Sequence, residues 1–163
     1  QEVTIAAFRK AHEFGAITIL NPAPFASLLP DLIAVSDWII PNENEFAGMH
    51  PQGLGPTSDE NILELAATLK ARFVVTLGEN GAAFTTRDGE IRRVTAPRVN
   101  AIDTTGAGDA FVGAFAVGLA ANLIEEKAIA LGCACASESV TRRGTQSSYP
   151  TPAQAQEILR SIN

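Results

Sequence analysis

The segment Asp103-Thr104-Thr105-Gly106-Ala107-Gly108-Asp109-Ala110-Phe111-Val112 holds the residue types best suited to chemistry. Small residues stand directly before an aspartate, and apolar residues at helical spacing follow: Phe111, Phe115 and Leu119, with Ala114, Ala116 and Ala120 between them. A Gly-Ala-Gly stretch that opens a helix leaves backbone N–H groups exposed at the positive end of the macrodipole, which suits a phosphate or another oxyanion. Asp109 falls in the first turn, beside that anion. A carboxylate set against phosphate is electrostatically costly unless it receives a proton from a nucleophile attacking that phosphate. The pairing predicts phosphoryl transfer.

The bland alternative is a Gly-rich turn whose aspartate merely caps a helix. Asp103-Thr104-Thr105 ahead of the turn and a long Ala/Gly-rich helix behind it make the pattern more specific than an isolated Gly-x-Gly-Asp. A dinucleotide fingerprint fails, because its third glycine position is Phe111 and no strong strand leads in. A Walker loop fails too, since no Gly-Lys-Ser/Thr occurs.

The elements that position this segment alternate in type. Residues 2–14 have helical spacing, with Gly15 as a stop, and 16–20 form a short apolar strand. A short helix over 28–35 precedes a buried strand at 37–40, after which Asn42 caps a helix to about Ala47. A Gly/Pro-rich loop at 51–56 leads to a helix from Ser58 to about Ala71, and a third buried strand covers 73–77. Residues 78–81 turn, 82–86 and 90–94 form a hairpin across Asp88-Gly89, and helices cover 107–121, 125–139 and 152–162 around a polar loop at 141–150. This order predicts an α/β fold with a mainly parallel sheet and an antiparallel hairpin at its margin. Such sheets bind ligands beyond the carboxyl ends of their strands, so residues 21–24, 42–45, 78–81 and 104–109 are predicted to share one rim.

Composition narrows the alternatives. A length of 163 residues predicts one domain, and 46% hydrophobic residues supply a core. The formal charge is −6 and basic residues cluster only in pairs, which argues against nucleic acid and anionic membranes. Cys133 and Cys135 stand two apart on a helix and cannot bridge, fitting a reduced, cytoplasmic setting. His12 and His50 have no evident partners and are predicted to be surface residues. The chain starts without Met, in mid-helix, and is predicted to be a piece of a longer protein.

The decapeptide resembles the C-terminal signature of the ribokinase-type (PfkB) carbohydrate kinases. Other segments resemble the same family in the same order. Asn21-Pro22-Ala23-Pro24 is similar to a segment after a family strand, and Pro41-Asn42-Glu43-Asn44-Glu45 to its Asn-x-x-Glu motif. Thr76-Leu77-Gly78-Glu79-Asn80-Gly81 resembles its nucleotide loop, and residues 140–150 resemble the segment that closes its monovalent-cation site. The resemblance implies a three-layer α/β/α fold and ATP, Mg²⁺ and K⁺ as cofactors. It makes Asp109 the base that takes the proton of a sugar hydroxyl, and the N–H groups of Gly106, Ala107 and Gly108 the cradle of the γ-phosphoryl.

Asn42 and Glu45, three apart on one helical face, are then implied at the Mg²⁺–phosphate end. An N-cap with a solvated glutamate is the alternative. Thr76, Leu77, Gly78, Glu79, Asn80 and Gly81 are implied to line ATP, or else to form only a strand-to-hairpin turn. Asp103, with carbonyls of Thr105, Ser139, Arg142 and Gly144 and the Ser148 hydroxyl, is implied to ring a potassium ion, against a loop-surface reading of Ser148. Cys133 occupies a position that touches adenine in relatives, yet reads equally as a small core residue.

Members of the family are longer. The resemblance implies that residues 1–163 are the nucleotide and phosphate half, and that the sugar-binding half and a dimer-forming β lid lie outside the chain. The expected partners are a small sugar and ATP, with apolar helix faces left uncovered here. Ribose is the expected acceptor. Fructose, deoxyribose, ketodeoxygluconate or a nucleoside are alternatives, as is a non-catalytic nucleotide-binding module.

Overall fold

A computed structural model of the chain describes residues 1–49 and 57–162. His50 and the loop predicted at 51–56 lie outside the described residues. Two compact units emerge, the first made of residues 1–76 with 83–92 and the second of 77–82 with 93–163.

In the first unit, α1 (Glu2–Glu13), α2 (Pro30–Ala34), α3 (Glu43–Met49) and α4 (Asp59–Leu69) accompany short strands. β1 (Ile19–Leu20) pairs in parallel with β2 (Trp38–Ile39), Ile19 opposite Trp38 and Leu20 opposite Ile39. Parallel bridges Ile39–Phe73 and Asn42–Thr76 carry the order on to β3 (Val74–Thr76). β3 then neighbours β4 (Ala82–Thr85), which neighbours β5 (Ile91–Val94). The bond from Thr85 N–H to the Phe73 carbonyl (3.0 Å) ties β4 to the start of β3, and that from Thr86 N–H to the Glu90 carbonyl (2.8 Å) belongs to the predicted hairpin margin. Val74 and Val75 are buried on both faces, as an inner strand requires. Phe46 meets Phe73 edge to face at 6.2 Å, which seats α3 against β3.

β1 is shorter than the predicted 16–20 because Thr18 spends its N–H on a side chain, the Asp37 carboxylate at 2.7 Å. The Thr18 hydroxyl lies 3.0 Å from the same oxygen and donates to the Val35 carbonyl at 2.8 Å. His12 joins them, with Nε2 3.1 Å from Asp37 and 3.2 Å from the Thr18 hydroxyl; it is exposed, as its reading as a surface residue expected, but it does have partners, which corrects the other half of that reading. Burial pushes the Asp37 carboxyl up, but hydrogen bonds from Thr18 and from His12 outweigh it and hold the group below its usual range.

The second unit holds α5 (Ala107–Ala120), α6 (Glu125–Ser139) and α7 (Pro152–Ile162). Small residues let α5 and α6 close. A Cβ on Gly118 would come within 2.9 Å of Ala128, and one on Gly132 within 2.9 Å of the Phe111 ring. Phe115 and Ile129 fill the resulting core. Ahead of α5, residues 95–106 contain no strand. The polar segment at 141–150 is partly enclosed, with a 3₁₀ turn at Gln146–Ser148 whose Ser148 is 0% exposed. Val117, Ile102 and Ile124 remain exposed.

Candidate functional site

Gly106 starts α5 as its N-cap in the left-handed conformation, φ 82° and ψ 1°. The Ala107 N–H turns onto the Thr104 carbonyl at 3.2 Å, a tight turn that occupies it. Of the three amides expected to face an anion, Ala107 is therefore already engaged. Among the described residues, the N–H groups of Gly106, Gly108 and Asp109 meet no acceptor. A Cβ on Gly108 would meet no atom within 4 Å, so packing does not dictate glycine there. Unsatisfied amides at the start of a helix can accept an anion. Asp109, in the first turn, is exposed and lines a cavity of about 370 Å³ with Ala110, Gly113 and Val117 of α5, Leu131 of α6 and Leu159 of α7.

Asp103 locks the approach to this turn. One carboxylate oxygen accepts from the Thr105 N–H at 3.0 Å and hydroxyl at 2.7 Å, and the other accepts from the Gly144 N–H at 3.0 Å. These bonds, that of Gly144 first, hold the carboxyl down at about 2, with Arg143 adding a smaller attraction. Of the predicted cation ligands, Thr105 and Gly144 bond directly to Asp103, while Ser139, Arg142 and Ser148 are linked to one another. Arg142 N–H reaches the Ser139 carbonyl at 3.4 Å, and its guanidinium donates to the Ser148 carbonyl at 3.0 Å. Ser148 Oγ donates to the Thr145 carbonyl at 2.7 Å, so the side chain faces inward and is no loop-surface residue. The Ser148 hydroxyl keeps its acceptor lone pairs, and the donor set of carboxylate, carbonyls and hydroxyl is all oxygen, which suits a hard monovalent cation.

In the first unit, Asn42 and Glu45 form a reciprocal capping box. Glu45 N–H donates to Asn42 Oδ1 at 2.9 Å, and Asn42 N–H donates to Glu45 Oε2 at 2.8 Å. The N-cap alternative is thus present in the geometry, but its solvated glutamate is not, because Glu45 is only 9% exposed. Its other carboxylate oxygen accepts nothing among the described residues, a donor set fitting a hydrated divalent cation. Thr76 N–H donates to the Pro41 carbonyl at 3.0 Å, fixing Thr76 beside Asn42. Asn21 Nδ2 donates to the Ile40 carbonyl at 2.7 Å, which ties the Asn-Pro-Ala-Pro segment to the end of β2.

In the second unit, Gly78–Asn80 is a 3₁₀ turn closed by Leu77 N–H to the Gly81 carbonyl at 2.8 Å. Leu77 is buried, while Gly78, Glu79 and Asn80 are exposed. Gly81 has φ 90°, and a Cβ there would overlap the Val94 carbonyl. Cys133 is 4% exposed and burial pushes its thiol up to about 12, the state of a small core residue. Cys135, not Cys133, reaches the cavity wall. Tyr149 was not singled out by sequence. It also lines the cavity, and its hydroxyl lies 2.9 Å from where a Gly106 Cβ would stand.

The family model described as pfkB family carbohydrate kinase matches residues 1–152. A deoxyribokinase of Salmonella typhi is 40% identical over 161 residues, covering 96% of this chain and 51% of that protein. The solved ribokinase of Thermotoga maritima is similar at TM-score 0.82 and 31% identity, over 94% of this chain and 52% of that one. Phosphofructokinase-2 from Escherichia coli, solved in complex with potassium, gives TM-score 0.77 at 26% identity, over 98% and 52%. The chain spans about half the length of the curated relatives it matches.

Proposed function

The chain belongs to the pfkB family of carbohydrate kinases and has their ribokinase-like α/β fold, and on that premise we propose that it is the nucleotide and phosphate half of an ATP-dependent kinase. The proposed reaction moves the γ-phosphate of ATP to the primary O5 hydroxyl of ribose, giving ribose 5-phosphate. One observation carries this reading: the amides of Gly106, Gly108 and Asp109 meet no acceptor among the described residues at the start of α5, and Asp109 lines a cavity.

Asp109 takes the hydroxyl proton as that oxygen attacks the γ-phosphorus and the bond to the ADP oxygen breaks. The free amides stabilise charge on the transferring group, a term that in other enzymes is worth about 10²–10³ in rate per donor. Asn42 and Glu45 hold magnesium through water, and when bound this ion neutralises charge on the ATP phosphates. Asp103, with Thr105, Ser139, Arg142, Gly144 and Ser148, holds potassium, the ion present in the phosphofructokinase-2 structure. The segment Thr76 to Gly81 lines the nucleotide. The full-length protein is proposed to work in the cytoplasm as a homodimer through a lid outside this chain. No described helix is long and apolar enough to cross a membrane.

The deoxyribokinase relative makes 2-deoxyribose the specific competing acceptor. ADP release by the full-length protein, measured over ribose, deoxyribose, fructose, ketodeoxygluconate and adenosine, decides between them. Ribose is the expected preference, and any other best substrate defeats the ribose assignment. Asp109→Asn is expected to lower kcat at least about a thousandfold. A variant that keeps most of its activity would favour a nucleotide-binding module without the chemistry.

A further inference from the structure

We infer that Tyr149 is a positioning residue for the transfer step, holding Gly106 in its left-handed conformation and tying the anion-binding amides to the Asp103 loop; the inference rests on the phosphoryl-transfer reading above. Glycine visits positive φ freely, and the same freedom lets an unbraced glycine leave it. Gly106 is braced. The Tyr149 hydroxyl and ring carbon Cε1 lie 2.9 and 3.3 Å from the point where a Gly106 Cβ would stand, and Thr145 Cβ lies at 3.4 Å. The preceding residue, Thr105, is gripped by Asp103 through its N–H and hydroxyl. Both grips lead to the same loop, since Asp103 also accepts from the Gly144 N–H.

Tyr149 is itself held in place. The Ser148 carbonyl accepts from Arg142, whose guanidinium pairs with Glu138 at 2.9 Å, and Glu138 also accepts from Gln154 of α7 at 3.2 Å. Ser148 N–H and Oγ both donate to the Thr145 carbonyl. The ring is thus the end of a frame running from α6 and α7 to the first residue of the amide cradle. Its hydroxyl makes no hydrogen bond among the described residues, so the bracing is by contact, and the ring edge at 3.3 Å is the part of it that a phenylalanine keeps. Amides that are fixed before the reaction spare the transition state the cost of ordering them.

The test uses the full-length protein with Tyr149→Ala and Tyr149→Phe, following ADP release and the affinity for MgADP with and without aluminium fluoride, a mimic of the moving phosphoryl. Tyr149→Ala should lower kcat about 10–100-fold with KM for ATP within about twofold, and should cut the affinity gained from fluoride by a similar factor. The potassium concentration for half-maximal rate should rise. Tyr149→Phe should stay within about twofold of the wild type on every measure. The inference is overturned if Tyr149→Ala keeps its kcat, if Tyr149→Phe loses as much as Tyr149→Ala, or if MgADP binding weakens equally with and without fluoride. An Asp109→Asn variant that keeps its turnover defeats the phosphoryl-transfer reading itself. If Asp109→Asn loses turnover while Tyr149→Ala keeps it, only the role of Tyr149 fails.

Discussion

Gly108 is the second residue of α5, and a Cβ built on it finds no atom within 4 Å. On packing alone, alanine belongs there. Glycine inside a helix costs about 0.8–1.0 kcal/mol relative to alanine, and the first turn realises about half of that. Gly108→Ala should therefore stabilise the protein by about 0.5 kcal/mol, or roughly 1–2 °C in Tm for a chain of this size. The added methyl, however, stands on a residue whose own N–H, like those of Gly106 and Asp109, has no acceptor among the described residues. We expect kcat to fall at least about 100-fold, the scale of losing one donor to a developing oxyanion. Thermal unfolding and ADP release on the same full-length preparation give the two numbers. A variant that is more stable and equally active would refute this role of Gly108, because the missing methyl would then serve no ligand. A variant that is less stable would refute the geometry. Gly106→Ala supplies the contrast. With φ 82° and Tyr149 2.9 Å from the new Cβ, it should lose stability by about 1–3 kcal/mol as well as activity.

Other expectations follow from specific contacts. The folded-state pKa of Asp103 is lowered from 3.8 to about 2, so its contribution is complete above 3.8 and lost as pH falls through about 2. The gap in Tm between the wild type and Asp103→Asn should accordingly be constant near neutrality and close across that acid window. Thr18→Val keeps the shape but removes the hydroxyl that donates to the Val35 carbonyl and contacts Asp37. It should cost about 1–3 kcal/mol in urea unfolding, and NMR titration should show the Asp37 pKa rising. Gly81→Ala places a Cβ against the Val94 carbonyl at φ 90° and 2.7 Å from the Ala96 nitrogen. Destabilisation of more than about 3 kcal/mol is expected, read as loss of soluble protein or of the cooperative transition.

Local signals were legible where local physics decides. α6 and α7 begin and end where their acidic first turn, Pro152 and spacing place them. The three-residue interval between Asn42 and Glu45 announced a shared helical face, and the structure makes it a capping box. What could not be read depends on distant partners. The length of β1 is set by Asp37, which captures the Thr18 N–H from 19 positions away. The burial of Glu45 and Ser148 depends on what packs over them, which no interval encodes. Spacing marks the run from Gly106 to Gly108 as an anion cradle, but the tight turn that takes the Ala107 N–H becomes visible only in coordinates. Tyr149 carries no motif of its own, and only its approach to Gly106 draws notice to it.

The bond between Asp103 and Gly144 spans 41 positions, and this sets a timetable for biosynthesis. At roughly 5–20 residues per second, a ribosome needs about 2–8 s to deliver the second anchor after the first. During that interval the hallmark decapeptide exists as a covalent string with its clasp still untranslated. Message truncation or a protease nick between these two anchors would yield a polypeptide that keeps its diagnostic residues and lacks the fastening that shapes them.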